Sequence, residues 1–120
     1  MKLRPVTIIL PNRTPLFLML CLHVLGVAHG QTTALPVATQ LPTGGRIVAG
    51  QAQIQQNNAV MSVIQATNRA AIEWGTFNVG SSARVDFVQP SASSVTLNRV
   101  LSSDASQIMG KITSTGQVYL

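Results

Sequence analysis

Residues 70–90 read AAIEWGTFNVGSSARVDFVQP, and they carry the clearest indication of the fold class. Apolar side chains recur at every second position in it, first at Ala70, Ile72 and Trp74 and again at Val85 and Phe87. Glycine and serine separate the two runs. Short runs of period two that are bounded by turn-forming residues are typical of β-strands with one buried face.

The same pattern continues on both sides of this stretch. Alternating runs lie at 47–49, 60–65, 95–98 and 118–120, with Asn, Gly, Ser and Pro between them. No long loop or helical pattern intervenes, which favours an all-β fold. The alternation predicts a structural core made of Ile72, Trp74, Phe77, Val85, Phe87, Val95 and Leu97.

Two segments have a helical interpretation. Apolar residues between Val60 and Trp74 also fit a spacing of 3.6, so periodicity alone nearly ties helix with strand, and β-branched residues tilt the choice modestly toward strand. A short helical turn is predicted at 104–109. Asp104 can cap it, Gln107 occupies the capping-box position and Gly110 can end it.

The first thirty residues predict a signal peptide. A basic segment precedes an apolar run at 16–27, and Ala28-His29-Gly30 places small residues before a cleavage point at Gln31. A membrane-spanning helix is the alternative, but it needs about 20 apolar residues. We therefore expect export by the Sec machinery and cleavage by signal peptidase between Gly30 and Gln31.

Loss of residues 1–30 limits the available chemistry. Cys21 and both histidines, His23 and His29, leave with the signal peptide. The remainder has five cations and three carboxylates, a net charge of +2, and the cations are scattered singly rather than clustered for nucleic acid. Without His or Cys no Ser–His or Cys–His pair forms, so we expect no enzyme, cofactor or metal site in 31–120.

Trp74 and Phe77 have two interpretations. They could form an aromatic platform for a ligand, or they could pack together in a β core. The second is favoured because a lone Trp and a neighbouring Phe on strands are usually buried.

Six motifs occur in order: LPTGGRIVAG at 41–50, AIEWGTFNVG at 71–80, VDFVQP at 85–90, VTLNRV at 95–100, SQIMG at 106–110 and GQVYL at 116–120. The series resembles the N-terminal domain of filamentous haemagglutinins, haemolysins and related adhesins of two-partner secretion systems. The Asn-Pro-Asn-Gly and Asn-Pro-Asn-Leu elements of that family are absent, and Asn98-Arg99-Val100 stands near the position of the latter.

The resemblance implies a right-handed parallel β-helix. We expect a signal peptide at 1–30, an extended lead at 31–40 and a partial, incomplete β-helix domain at 41–120. At a period of about 20–25 residues this gives about four coils, and the last coil would expose unpaired strand edges.

The resemblance also implies a function. An outer-membrane pore protein with periplasmic domains would recognise the segment from Leu41, by β-augmentation, and export the protein to the cell surface or the medium. Candidate contacts are Asn78, Asn98 and Arg99, with turn and inter-coil hydrogen bonding as the alternative role. The competing function is an adhesive module that touches host glycans or cells, and any enzyme or toxin would need its chemistry beyond Leu120.

Overall fold

The computed structural model describes residues 34–120, and its regular elements there are all β-strands. The predicted signal peptide and residues 31–33 lie outside the described residues. Across 34–120 there is no helix of the length and hydropathy that a membrane crossing requires. The strands are β1 (Arg46–Ala49), β2 (Ala52–Asn57), β3 (Val60–Gln65), β4 (Arg69–Trp74), β5 (Arg84–Val88), β6 (Val95–Val100), β7 (Lys111–Ser114) and β8 (Gln117–Tyr119).

The eight strands form two four-stranded sheets. Sheet I has the order β1-β4-β6-β8, and sheet II has the order β2-β3-β5-β7. Because β3, β5 and β7 are mutually parallel, as are β4, β6 and β8, the chain passes from sheet II to sheet I once in each coil. The result is a parallel β-helix. Right-handed winding is the form that parallel crossovers adopt in nearly all sheets.

Three coils are stacked, each made of two strands: β3–β4, β5–β6 and β7–β8. In sheet II, Val60 pairs with Arg84 and Arg84 with Lys111, so the coils there are 24 and 27 residues apart. In sheet I, Arg69 pairs with Val95 and Val95 with Gln117, at separations of 26 and 22 residues. The connections between strands therefore vary in length while the strands keep their register.

A capping layer of antiparallel strands replaces the expected fourth coil. β1 runs antiparallel to β4, and β2 runs antiparallel to β3, so both sheets begin with a strand of reversed direction. A turn starting at Asn58, with φ of 54°, joins β2 to β3. The estimate of about four coils is corrected to three coils and this layer, because alternation along a strand carries no information about its direction.

The segment between β4 and β5 forms a third side of the coil. Thr43 bridges to Thr76 on it, and Val79 forms a parallel bridge to Ile108 in the next coil. The predicted helical turn at 104–109 is wrong. The N–H groups of Gln107 and Met109 bond to the previous coil instead, donating to Asn78 Oδ1 and to the Val79 carbonyl, each at 2.8 Å.

The stretch from Val60 to Trp74, for which periodicity nearly ties helix with strand, forms the two strands β3 and β4. Met61, Val63 and Gln65 point inward from β3, in the alternation that the sequence shows. The short link between the two strands turns the chain from sheet II to sheet I.

The core lies between the two sheets and the third side. Ile72, Trp74, Phe77, Val85 and Phe87 are all at most 2% exposed. The Trp74 and Phe77 rings meet edge to face, with centroids 5.3 Å apart and an interplanar angle of 84°. This geometry is favourable for a buried aromatic pair. Both rings are inside the coil, so they do not form a surface platform for a ligand.

Strand β6 faces the opposite way from the prediction. Leu97 is 52% exposed and Val95 is only half-buried, whereas Thr96 and Asn98 are 0% and 3% exposed. Placing Val95 and Leu97 in the core is therefore corrected. The inward polar side chains are tolerated because each has hydrogen-bond partners, which removes most of the cost of burying them.

Residues before 41, the predicted start of the β-helix domain, already form hydrogen bonds within the fold. The N–H of Gln40 donates to the Val37 carbonyl at 3.0 Å, closing a turn within the predicted extended lead. The Gln40 carbonyl in turn accepts from the Gly80 N–H at 2.9 Å. A Cβ on Gly80 would lie 2.1 Å from the Val37 carbonyl oxygen, so this close approach requires glycine.

Candidate partner-recognition surface

Asn98 is inside the coil rather than on the surface. Its Oδ1 accepts from the Trp74 Nε1–H at 2.9 Å, and its Nδ2 donates to the Tyr119 carbonyl at 3.1 Å. Trp74, Asn98 and Tyr119 belong to three successive coils. In the folded domain Asn98 therefore joins coils, and a contact with a partner is not available to it.

Asn78 has a related position on the third side. It is half-buried, and its Oδ1 accepts from the Gln107 backbone N–H of the next coil at 2.8 Å. The carboxamide oxygen of Asn78 thus accepts a hydrogen bond that a backbone carbonyl would otherwise accept between two coils. The contacts of Asn78 therefore correspond to the alternative role, which is hydrogen bonding between coils.

Arg99 is accessible. Its side chain is 73% exposed, and its Nη1 lies 3.4 Å from Oε1 of Glu73. Arg46 in the capping layer contacts the same carboxylate, with Nη2 2.5 Å from Oε2. The register places Arg46, Glu73 and Arg99 side by side on the outer face of sheet I, in a charged row that crosses three strands.

A buried column of amides and a hydroxyl was missed by the hydrophobic pattern. Gln65 and Gln89 end or follow neighbouring strands of sheet II and are 4% and 5% exposed. The Thr96 hydroxyl donates to Gln65 Oε1 at 2.5 Å and accepts from Gln89 Nε2 at 2.9 Å. The Gly116 N–H donates to Gln89 Oε1 at 2.6 Å, which carries the column into the third coil. A recurrence of Gln after 24 residues is the sequence signal for this column.

An apolar row runs next to the charged row on the same outer face. The apolar row consists of Ala49, Ala71, Leu97 and Tyr119, which are paired in register across all four strands of sheet I. Leu97 and Tyr119 are 52% and 54% exposed. A shallow cleft of about 320 Å³ opens along it, lined in part by Ala49, Ala71 and Leu97. Contiguous exposed apolar side chains often mark an interaction site.

The outer face of sheet II is more polar. Gln55, Ser62, Asp86 and Thr113 are in register across it. Asp86 is neutralised within this face, since Arg84 Nε lies 2.9 Å from its Oδ2 and the Thr113 hydroxyl donates to its Oδ1. A cleft of about 480 Å³ lies at the β2–β3 hairpin, and its lining is Gln55, Gln56, Asn57, Asn58, Val60 and Ser62.

Each sheet ends in a strand without a further neighbour among residues 34–120. These end strands are β1 and β8 in sheet I and β2 and β7 in sheet II. β1 is interrupted by a bulge between Ile47 and Ala49. β2 is six residues long, regularly paired and uncharged, and it contains no proline, so it lacks the usual devices that protect an edge.

The described part of the chain holds few groups for catalysis. In residues 34–120 no three His, Cys, Asp or Glu side chains are grouped so that they could share a metal ion. Its carboxylates at Glu73 and Asp86 are engaged by arginines on opposite sheets. These residues form a β-helical module that presents two patterned sheet faces and the edges of its end strands to solvent.

Residues 38–120 match the family model of the TPS secretion domain, and the chain belongs to this two-partner secretion family. The match contains all eight strands. The exoproteins of this family are secreted proteins. Residue 38 is also where the first hydrogen bonds to the 80–82 turn begin, since the Ala38 carbonyl accepts from the Ser82 N–H at 2.8 Å.

Two heme/hemopexin-binding proteins of Haemophilus influenzae are similar in sequence. One is 42% identical over 83 residues, which cover 69% of this chain and 9% of that protein. The other is 39% identical over 80 residues, covering 66% of this chain and 9% of that protein. The chain thus spans about a tenth of the length of these relatives.

A solved structure is similar in fold. The crystal structure of the HMW1 secretion domain from Haemophilus influenzae superposes with a TM-score of 0.62 at 33% identity. The match covers 66% of this chain and 21% of that domain. The β-helical architecture found here is therefore that of a secretion domain.

Proposed function

We propose that this domain directs the secreted protein that carries it to a dedicated outer-membrane pore protein. The observation that carries the proposal is the match of residues 38–120 to the TPS secretion domain, a stretch that contains the capping layer and all three coils of the β-helix. A signal peptide at 1–30 would first deliver the chain to the periplasm through the Sec machinery. Periplasmic domains of the pore protein would then bind it and pass it to the cell surface or the medium.

Open strand edges give this recognition a physical basis. β-augmentation obtains affinity from main-chain hydrogen bonds, and the alternating side chains supply selectivity. The uncharged edge of β2 suits such pairing, because an incoming strand would meet no repelling charge on it. No cysteine occurs in residues 31–120, so no disulfide-closed loop within them obstructs threading through a pore.

Removal of residues 41–120 from the complete exported protein tests this function. Export is measured as the fraction of protein in the medium or on the cell surface, against the fraction retained in the periplasm. We expect the deleted protein to accumulate in the periplasm. Normal export with loss of cell binding would instead support adhesion as the function of this segment.

Adhesion to host glycans or cells is the second candidate. The cleft at the β2–β3 hairpin favours it, because Gln55, Asn57 and Asn58 place several carboxamides around one opening. Carboxamides can donate to and accept from sugar hydroxyls. The replacement of Gln55 and Asn57 by alanine would then reduce cell binding and leave the exported amount unchanged.

A further inference from the structure

The apolar row contains large side chains that are exposed to solvent and do not contribute to the core. Leu97 and Tyr119 are adjacent in register, and both are more than half exposed on the outer face of sheet I. Thr96 and Asn98, the polar neighbours of Leu97 in β6, are buried, so the centre of this strand directs its apolar side chain to solvent and two polar ones inward. Burying exposed Leu and Tyr side chains against a partner is favourable in proportion to the area covered.

Positive charge borders the apolar row on both sides. On one side lies the charged row, where Arg46 and Arg99 share the single carboxylate of Glu73. On the other side lies Arg69, which is exposed and pairs in register with Val95. Three guanidinium groups thus surround the row with one carboxylate between them. That carboxylate is only 17% exposed, whereas the Arg46 and Arg99 side chains are 72% and 73% exposed.

Sheet II does not combine these features. Ile64 and Val88 are paired in register on its outer face and are 38% and 48% exposed, so two apolar side chains are available there as well. Their register neighbour in β2 is Gln53, an amide. Arg84 is paired with Asp86, and Lys111, the register partner of Arg84, adds one positive charge to that sheet. The row of Ser62, Asp86 and Thr113 separates both cations from Ile64 and Val88. Apolar surface with positive charge directly beside it on both sides is therefore a property of sheet I.

We propose that the apolar row is a docking site for a polypeptide segment whose apolar side chains are flanked by carboxylates. The segment belongs to the periplasmic domains of the pore partner, and this inference rests on the proposed function. Its apolar side chains cover Leu97 and Tyr119. Its carboxylates meet Arg69, Arg99 and Arg46, for which bidentate pairing is the preferred geometry.

Charge at the border also makes the interaction sensitive to salt. Exposed ion pairs are screened within about 8–10 Å at physiological ionic strength, and opposite charges accelerate the encounter of two proteins. Binding through the apolar row should therefore weaken as salt is raised. An interaction made only of main-chain hydrogen bonds along a strand edge would change much less.

The test measures binding of the purified periplasmic domains of the pore partner to the exported protein. Leu97→Thr and Arg69→Glu alter the docking site, and Val88→Thr and Arg84→Glu are the matched controls on sheet II. Threonine keeps the strand preference of these positions while removing apolar surface. We expect Leu97→Thr and Arg69→Glu each to weaken binding by about tenfold, with the controls within about twofold of the unaltered protein.

Three results distinguish failure of the docking site from failure of the proposed function. Equal binding by all four variants would overturn the docking site and leave secretion targeting intact, with strand edges as the binding element. Weaker binding by Val88→Thr and Arg84→Glu alone would move the site to sheet II. If the unaltered protein does not bind and deletion of 41–120 leaves export normal, the proposed function itself fails. Trp74 fluorescence of each variant must match the unaltered protein, since the ring is buried in the coil.

Discussion

Asn98 connects all three coils through one side chain. It accepts from Trp74 in the first coil and donates to the backbone of Tyr119 in the third, and it is itself in the second. Asn98 is 3% exposed, and its hydrogen bond from the Trp74 Nε1–H is buried, so removal of the carboxamide leaves that N–H in the core without its acceptor. A buried Trp N–H and a peptide carbonyl would then each lose this hydrogen bond, which is costly.

Asn98→Ala should lower the free energy of unfolding by about 1–3 kcal/mol. Denaturant unfolding followed by Trp74 fluorescence measures this, because Trp74 is the single tryptophan of the chain. Arg99→Ala is the matched control at the next position. Its exposed ion pair is worth at most about 1 kcal/mol, so the two variants should differ clearly. Equal stability of both variants would contradict the structural role of Asn98.

Glycine at position 50 allows the capping layer to form. Gly50 has φ of 74°, between β1 on sheet I and β2 on sheet II. A Cβ there would lie 2.2 Å from the Arg69 carbonyl oxygen, which is backbone and cannot move aside without disturbing β4. The position therefore combines a left-handed conformation with a close approach, and each of these alone favours glycine.

Gly50→Ala should destabilise the domain by more than about 1–2 kcal/mol, the usual cost of a left-handed alanine, because the clash adds to it. Gly75→Ala is the control, since its Cβ would meet Thr43 only at 3.4 Å, an ordinary contact. Thermal unfolding of the two variants and the parent compares them. A Gly50→Ala protein with the melting temperature of Gly75→Ala would show that the turn can relax.

Strand β6 shows where reading a sequence by hydrophobicity fails. Alternation alone predicts β5 and β6, whereas β3 and β4 also need the β-branched residues to favour strand over helix; for β4 and β5 the apolar positions are the buried ones. In β6 the same rule selects Val95 and Leu97, although Thr96 and Asn98 are inside. A shift by one position moves every side chain to the other face. Polar partners such as Gln65, which belong to other strands, decide the matter.

The candidate site, like the buried faces of the strands, could be predicted only in part from the sequence. Arg99 was selected from the sequence and is exposed, while Asn98, selected with it, is buried one position away. The apolar row could not be found from the sequence. Ala49, Ala71 and Leu97 become neighbours only through the register of β1, β4 and β6, which short-range patterns do not specify.

At the scale of the whole molecule, stability should decrease from the inner strands to the end strands. Among residues 34–120, β3, β4, β5 and β6 each have a neighbour on both sides, whereas β7 and β8 have one and are four and three residues long. Local opening is easiest where few apolar contacts and exposed backbone hydrogen bonds coincide.

Amide hydrogen exchange should follow this order. In a polypeptide that ends at residue 120, we expect slow exchange in β4 and β6 and fast exchange in β8, which there has a partner strand on one side only. Exchange measured by mass spectrometry on peptides from each strand provides the comparison. Protection of β8 equal to that of β4 would mean that the coils open as a single unit.

The mature protein should begin at Gln31. Small residues at 28 and 30 meet the requirement of signal peptidase, and residue 31 follows them. Mass determination of the exported protein, or sequencing of its N-terminus, measures the cleavage point. A protein that retains residues 1–30 in the medium would contradict the predicted signal peptide.

The capping layer gives the coil stack a direction. Within the part of the chain that the structure describes, β1 and β2 close one end with strands of reversed direction, β1 being bulged, and β7 and β8 present parallel edges at the other end. A new parallel coil can be added only at that second end. A chain that emerges from a membrane with its N-terminus first would therefore fold coil by coil, starting from the capping layer. Each completed coil would then oppose movement of the chain back through the membrane.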